Sequence, residues 1–223
     1  MGNRAIIKPK NSDIGVYLHW NGGINSVTAF LEYCKLKGYR DFGGKNADGY
    51  GVARFVQVVS NFFGGGDSIG IEKDVKETEV YAKGLDNGIY VIDGWDIVKR
   101  ICGNNIVENY SIQDMLISID EAQPTKEQLG KEFFESELVD VSDLNIGDKV
   151  YVYDGLNCKY NKHIVVGIGY KDSIVNGYNV ENIPIIDKYC NDNGSYRDNA
   201  NNYLLRVDKV RRYEKAKEIV PRY

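Results

Sequence analysis

The strongest constraint on how this chain folds is a change of hydrophobic period past its midpoint. Up to residue 124, apolar residues recur at helical spacing between shorter strand-like runs, and from about Leu138 the helical period stops. Val27, Phe30, Leu31 and Cys34 fall at i, i+3, i+4 and i+7. They predict a helix over 25–37, with Asn25 or Ser26 as its cap and Gly38 as its stop. Val52, Phe55, Val56, Val59 and Phe63 share a face of a second helix that Gly64-Gly65-Gly66 ends. Ser111 and Asp114 form a capping-box start for a third helix over 111–123, closed by Pro124. Thr125 and Gln128 suggest one more short helical turn. Between the helices, Val16 to Trp20 and SIGIE (68–72) read as strands. EVYAK (79–83) and IYVI (89–92) flank Asp86-Asn87-Gly88 in the form of a hairpin, and DIVKRI (96–101) reads as a short helix.

The later texture is different. Short alternating or apolar runs at 148–155, 163–170, 174–180, 181–187 and 202–210 are separated by Asn, Asp and Gly, the pattern of a small antiparallel barrel or curled sheet. LNIGDKVYVYDG resembles the opening of an SH3-like barrel, an analogy of fold that carries no function. The polar stretch 187–202 reads as a mobile loop. Together these patterns predict an α+β protein. An α/β sandwich-like part over 1–124 precedes a connecting segment at 125–146 and a β-rich, barrel-like part over 147–223.

Composition narrows the classes. At 223 residues the chain can bury a substantial core, and no apolar run is long enough to span a membrane. MGNRAIIKPK lacks the apolar core of a signal peptide, and Cys34, Cys102, Cys158 and Cys190 form no Cys-x-x-Cys pair. The expectation is a cytoplasmic protein with reduced thiols, no metal and no cofactor. The net charge of −4 opposes general nucleic-acid binding, yet residues 204–223 carry seven Lys/Arg against three Asp/Glu. Arg206, Lys209, Arg211, Arg212, Lys215 and Lys217 therefore make a candidate nucleic-acid contact patch, with a solvated terminal element as the plainer reading. The 17 tyrosines, with frequent Asn and Gly, suit an adaptable recognition surface or reflect an AT-rich genome.

Two strand ends carry the candidate sites. GVYLHWNGG (15–23) ends an alternating strand in Asn-Gly-Gly just before a helix, where free backbone N–H groups hold anions. His19 there is a candidate general acid or base, although no local motif supplies a nucleophile or orienting carboxylate. Trp20, Asn21, Gly22 and Gly23 form a candidate binding edge, the glycines allowing close backbone approach to a ligand. Asp93-Gly94-Trp95-Asp96 also ends a strand in Gly and Trp. If the two strands are parallel neighbours, Trp20, His19, Asp93, Trp95 and Asp96 line one pocket; otherwise the tryptophans are core and the aspartates are caps. Asn61 to Asp67 reads as a helix stop, and no nucleophile elbow, zinc-ligand pair or dinucleotide fingerprint occurs.

GNRAII (2–7), IGVYLHWNGG (14–23), AFLEYCKLKGYR (29–40), ARFVQVVSNFFGG (53–65), SIGI (68–71), NGIYVIDGW (87–95) and IDEAQP (119–124) resemble a family of small phage and conjugative-element proteins of low-GC Gram-positive bacteria. The resemblance covers residues 2–124 and supplies no catalytic residues. It implies a setting, since accessory proteins of such elements often disarm host defences, including CRISPR nucleases. The leading expectation is thus an anti-CRISPR-like inhibitor that binds a host protein or ribonucleoprotein. A nuclease or other hydrolase using His19 and a nucleic-acid-binding module are the alternatives.

Overall fold

The computed structural model describes residues 2–42, 49–66, 68–76, 78, 80, 83–101, 108–154, 159–168, 173–175, 178–180, 184–186, 203–204 and 209–216. The chain divides into two compact units, Met1–Gly130 and Lys131–Tyr223, and the fold is α+β.

The first unit is built on a five-stranded mixed sheet. Its strands are β1 (Ala5–Pro9), β2 (Gly15–Leu18), β3 (Ile69–Glu72), β4 (Ile89–Asp93) and β5 (Asp96–Ile101), in the order β3-β2-β1-β4-β5. β1 is antiparallel to β2 and parallel to β4, while β2–β3 and β4–β5 are antiparallel. Joining parallel β1 and β4 needs a long crossover, and α1 (Ile24–Leu36) and α2 (Gly49–Phe62) lie within it. α3 (Ile112–Glu121) follows β5.

Both faces of the sheet centre are buried, which is why β1 reads as an unbroken apolar run rather than an alternation. On one face Ile6 and Ile89 join Val75, Val80 and Leu85, with Tyr17 and Ile101 at the margin. Ile7, Val16, Leu18 and Tyr90 are buried on the other. The helix cluster is aromatic, Phe30 meeting Phe55 and Phe62 edge to face. Asp120 is buried and accepts the Tyr33 hydroxyl at 2.8 Å and the backbone N–H groups of Leu129 and Gly130 at 2.7 and 2.8 Å. That carboxylate ties the end of the unit to α1.

Three sequence expectations change here. DIVKRI is strand β5, not a helix, because it pairs with β4 through a two-residue turn at Gly94-Trp95. IYVI pairs with β1 and β5 and not with an earlier hairpin arm; Val80, Lys83 and Gly84 are turn, and residues 79, 81 and 82 lie outside the described set. The N-cap of α1 is Gly23, which offers no side chain, so neither Asn25 nor Ser26 caps it. The capping box of α3 forms as expected, Ser111 Oγ accepting from Asp114 N.

The second unit begins with α4 (Lys131–Glu135) and β6 (Glu137–Asp140). Residues 131–140, expected as connection, therefore carry regular structure. β7 (Lys149–Asp154), β8 (Lys159–Ile168), β11 (Pro184–Ile186), β12 (Tyr203–Leu204) and β13 (Lys209–Glu214) complete an antiparallel sheet in the order β12-β11-β8-β7-β13-β6; β9 (Ser173–Val175) and β10 (Tyr178–Val180) form a separate ribbon. No closed barrel is found among the described residues. The core is small and β-branched, with Val139, Val150, Val165, Ile186 and Val210 around Leu144. The polar stretch 187–202 lies outside the described residues.

Candidate functional site

Directions decide which candidate residues can meet. β2 runs against β1 and β4 runs with it, so their C-terminal ends lie at opposite ends of the sheet. Leu18 pairs with Ala5 at the start of β1, whereas Ile92 pairs with Pro9 at its end. The pocket that parallel neighbouring strands would make of His19, Trp20, Asp93, Trp95 and Asp96 does not form, because the two strands are not parallel neighbours.

At the β4 end, Trp95 is a packing residue. It is 7% exposed, its Nε1 donates to Tyr39 O at 3.1 Å, and its ring lies 5.8 Å from that of Phe42. Phe42 N donates to Gly94 O at 3.0 Å, so the turn clamps the chain that leaves α1. Gly94 takes φ +66°, which a side chain would strain. Asp93 pairs with Lys10 and Asp96 with Lys35, both at 3.2 Å on the surface.

At the β2 end, Trp20 is 44% exposed and stands edge to face with His19, centroids 4.9 Å apart. His19 Nδ1 meets the Tyr17 hydroxyl at 3.0 Å. Residues i and i+2 of a strand share a face, so this partner follows from local geometry. Among the described residues no carboxylate or nucleophile is bonded to the imidazole. Burial raises the Tyr17 hydroxyl above the ordinary tyrosine range, which keeps it protonated and unreactive as a nucleophile.

The Asn-Gly-Gly turn between Trp20 and α1 is filled by the chain itself. Asn21 adopts φ +53°, a region in which asparagine is favoured over most residues. Gly22 lies against β1: its N–H donates to Asn3 O at 2.8 Å, and a Cβ there would meet that oxygen and the Ala5 backbone. A Cβ on Gly23 would fall on the carboxylate of Glu108. The glycines do permit close approach, but of Asn3 and Glu108 rather than of a ligand.

Glu108 occupies the anion-binding position at the start of α1. Its Oε2 accepts from Asn25 N at 2.8 Å and Ser26 N at 3.1 Å, taking over the cap that Gly23 lacks. Its Oε1 accepts from Ser26 Oγ and from the Tyr110 hydroxyl, both at 2.6 Å. Burial, helped by this carboxylate, pushes the Tyr110 hydroxyl up to about 12, so it remains a donor at neutral pH. Asn21 Nδ2 donates to Ser26 Oγ at 3.3 Å and to Tyr110 O–H oxygen at 3.1 Å. The two hydroxyls also lie 2.6 Å apart, so their two protons are shared between Glu108 and each other, and the Asn21 amide donates to both oxygens. Asn21 lies in the turn and Ser26 in the first turn of α1, but Glu108 and Tyr110 carry no local pattern that marks them as their partners.

Among the described residues, the C-terminal cations are divided between the two faces of β13 and the segment after it. Adjacent residues of β13 point to opposite faces, Arg211 opposite Tyr151 and Arg212 opposite Val150. Arg211 lies over the Phe133 ring and donates to the carbonyls of Phe133 and Ser136. Arg212 is 9% exposed between Asp148 and Glu137, at 3.1 and 2.6 Å. Lys209 pairs with Asp140 at 3.7 Å, and Lys215 is exposed. Arg206 and Lys217 lie outside the described residues.

Among the described residues no acidic, histidine or cysteine cluster suits a metal, and no helix is long and apolar enough to cross a membrane. Cys34 is a buried free thiol that burial raises well above the reactive range. Comparison with protein-family models, curated proteins and solved structures finds no match to this chain.

Proposed function

We propose that this chain is a binding protein that recognises a host protein or ribonucleoprotein through the Trp20 turn and antagonises a bacterial defence system. The binding half rests on one observation: a tryptophan 44% exposed stands on a turn whose backbone and polar side chains are pinned by Asn3, Ser26, Glu108 and Tyr110. A rigid, half-exposed tryptophan loses little entropy on docking and offers a large contact area, the profile of an interface anchor. Ile24, 42% exposed at the start of α1, is a second exposed apolar side chain four residues on. The defence half rests on the resemblance of residues 2–124 to phage and conjugative-element proteins. Binding is favoured over hydrolysis because, among the described residues, His19 is bonded to a tyrosine and not to a carboxylate. It is favoured over general nucleic-acid contact because Arg211 and Arg212 are spent on carbonyls and carboxylates.

The test is affinity capture from a bacterial host, in parallel for the wild type and Trp20→Ala, followed by assay of the captured nuclease. The expected result is a defence nuclease that the wild type retains and inhibits and that the variant releases. Retention unchanged by Trp20→Ala would remove the turn from the interface, and inhibition of no defence component would remove the proposed role.

A further inference from the structure

Two Asn-Gly pairs lie among the described residues, Asn21–Gly22 and Asn87–Gly88. Such pairs are chemically labile because no side chain hinders the glycine nitrogen. That nitrogen attacks the asparagine Cγ, the Cγ–Nδ2 bond breaks, and the displaced proton leaves with ammonia. Water then opens the cyclic imide to aspartate or isoaspartate.

We infer that Asn21–Gly22 is a conformation-gated deamidation site, closed in the native turn and opened by local unfolding at the start of α1. Both reacting groups are held. The Gly22 nitrogen is tied to Asn3 O at 2.8 Å, and the Asn21 amide is anchored on Ser26 and Tyr110. Reaction therefore waits for these bonds to open together. The opening it needs is local, since Asn21 is half-buried on a turn at the sheet margin. Asn87 is fully buried and is held by Arg4 O through its backbone, by Asn3 through its amide and by Arg100 through both oxygens. Its release must break all of these contacts at a fully buried turn, a larger opening than Asn21 needs.

The product does not fit the closed turn. Aspartate at 21 would turn the donor to both hydroxyls into an acceptor, competing for two protons that Glu108 and the Ser26–Tyr110 contact already use. The added charge also lies beside the Glu108 carboxylate. Deamidation thus loosens the support of Trp20 and favours further opening, a one-way loss of the turn.

The experiment incubates the intact chain at mildly alkaline pH, native and in urea above its unfolding midpoint, and maps aspartate and isoaspartate by peptide. The expected result is deamidation at Asn21 at least about tenfold slower in the native chain than in the unfolded one. Asn21 is also expected to react ahead of Asn87 in the native chain. Equal native and unfolded rates at Asn21, or Asn87 reacting first, would overturn the gate. In the second arm Asn21→Asp stands in for the product and is expected to lower Tm by about 5 °C. An unchanged Tm with unchanged tryptophan emission would overturn the claim that the product unseats the turn.

Discussion

Two strands of one sheet end in glycine and tryptophan, yet the tryptophans have opposite fates: Trp20 is 44% exposed and Trp95 is 7% exposed. The difference lies in what each turn must join. β4 returns at once as β5, so its hairpin is free to fold over the chain leaving α1, and Trp95 closes that seam through Tyr39 O and Phe42. β2 must instead feed a helix, and its turn is committed to delivering N–H groups to Glu108. Trp20 is left on the outside of that delivery. The buried tryptophan closes a joint, and the exposed one, on a fixed turn, is the proposed contact.

The largest expected effect breaks the comparison at the buried side. Trp95→Ala removes a core aromatic and its hydrogen bond, and should cost about 3–5 kcal/mol by urea unfolding. Trp20→Ala should stay within about 0.5 kcal/mol while releasing the captured partner. Similar stability losses in the two variants would show that Trp20 is also a packing residue and end the contrast.

The second effect tests what fixes the exposed side. Glu108→Gln keeps the size of the cap but loses its charge and pits an amide N–H₂ against at least one donor. We expect a loss of about 1–2 kcal/mol, the usual scale for an N-cap. Trp20 emission should shift toward the free indole value while Trp95 emission, read in Trp20→Phe, stays put. A shift confined to Trp95 would mean that Glu108 supports the wrong end.

This contrast also explains how much could be read from sequence. The helices were legible because Val27, Phe30, Leu31 and Cys34, and likewise Phe55 and Val59, repeat at one period on one buried face. β1 was not, because Ala5, Ile6 and Ile7 are buried on both faces and leave no alternation. β5 reads as a helix because its period conflicts with its pairing: Val98 and Lys99 are both exposed on an edge strand, where burial no longer writes a pattern. The turn at 20–23 was legible as an anion-binding junction, but its anion comes from Glu108, over eighty positions away, and such distances leave no trace in a local window. Arg211 and Arg212 look equivalent in sequence and separate only once a strand assigns them to opposite faces.

A third effect is one of pH, and it concerns the start of β1, which pairs with the Trp20 end of β2. Arg4 donates to Asp86 at 2.9 Å, and this hydrogen bond holds the Asp86 carboxyl below the ordinary aspartate range. A lowered folded value means the pair stabilises the fold fully above the ordinary aspartate pKa. That contribution is lost as pH falls through the lowered value. Acid titration followed by Tm should therefore show a steeper loss in the wild type than in Asp86→Asn. Parallel curves would show that Asp86 titrates alike in the folded and unfolded chains.

The smallest expected effect concerns the aspartates that flank Trp95. Sequence alone allows Asp93 and Asp96 to line a pocket, but in the fold each is one half of a solvent-exposed ion pair, Lys10–Asp93 and Lys35–Asp96. The side chains of the second pair are 53% and 73% exposed, so water and salt screen most of the attraction. Exposed pairs of this kind contribute about 0–1 kcal/mol. Asp93→Asn and Asp96→Asn should each move stability by less than about 0.5 kcal/mol, and less still in high salt. Neither should release a partner that Trp20→Ala releases, because they lie at the opposite end of the sheet. Partner release by either variant at unchanged stability would move the interface to the β4–β5 turn. Trp95 would then be the support of a recognition surface, and the roles of the two turns would exchange.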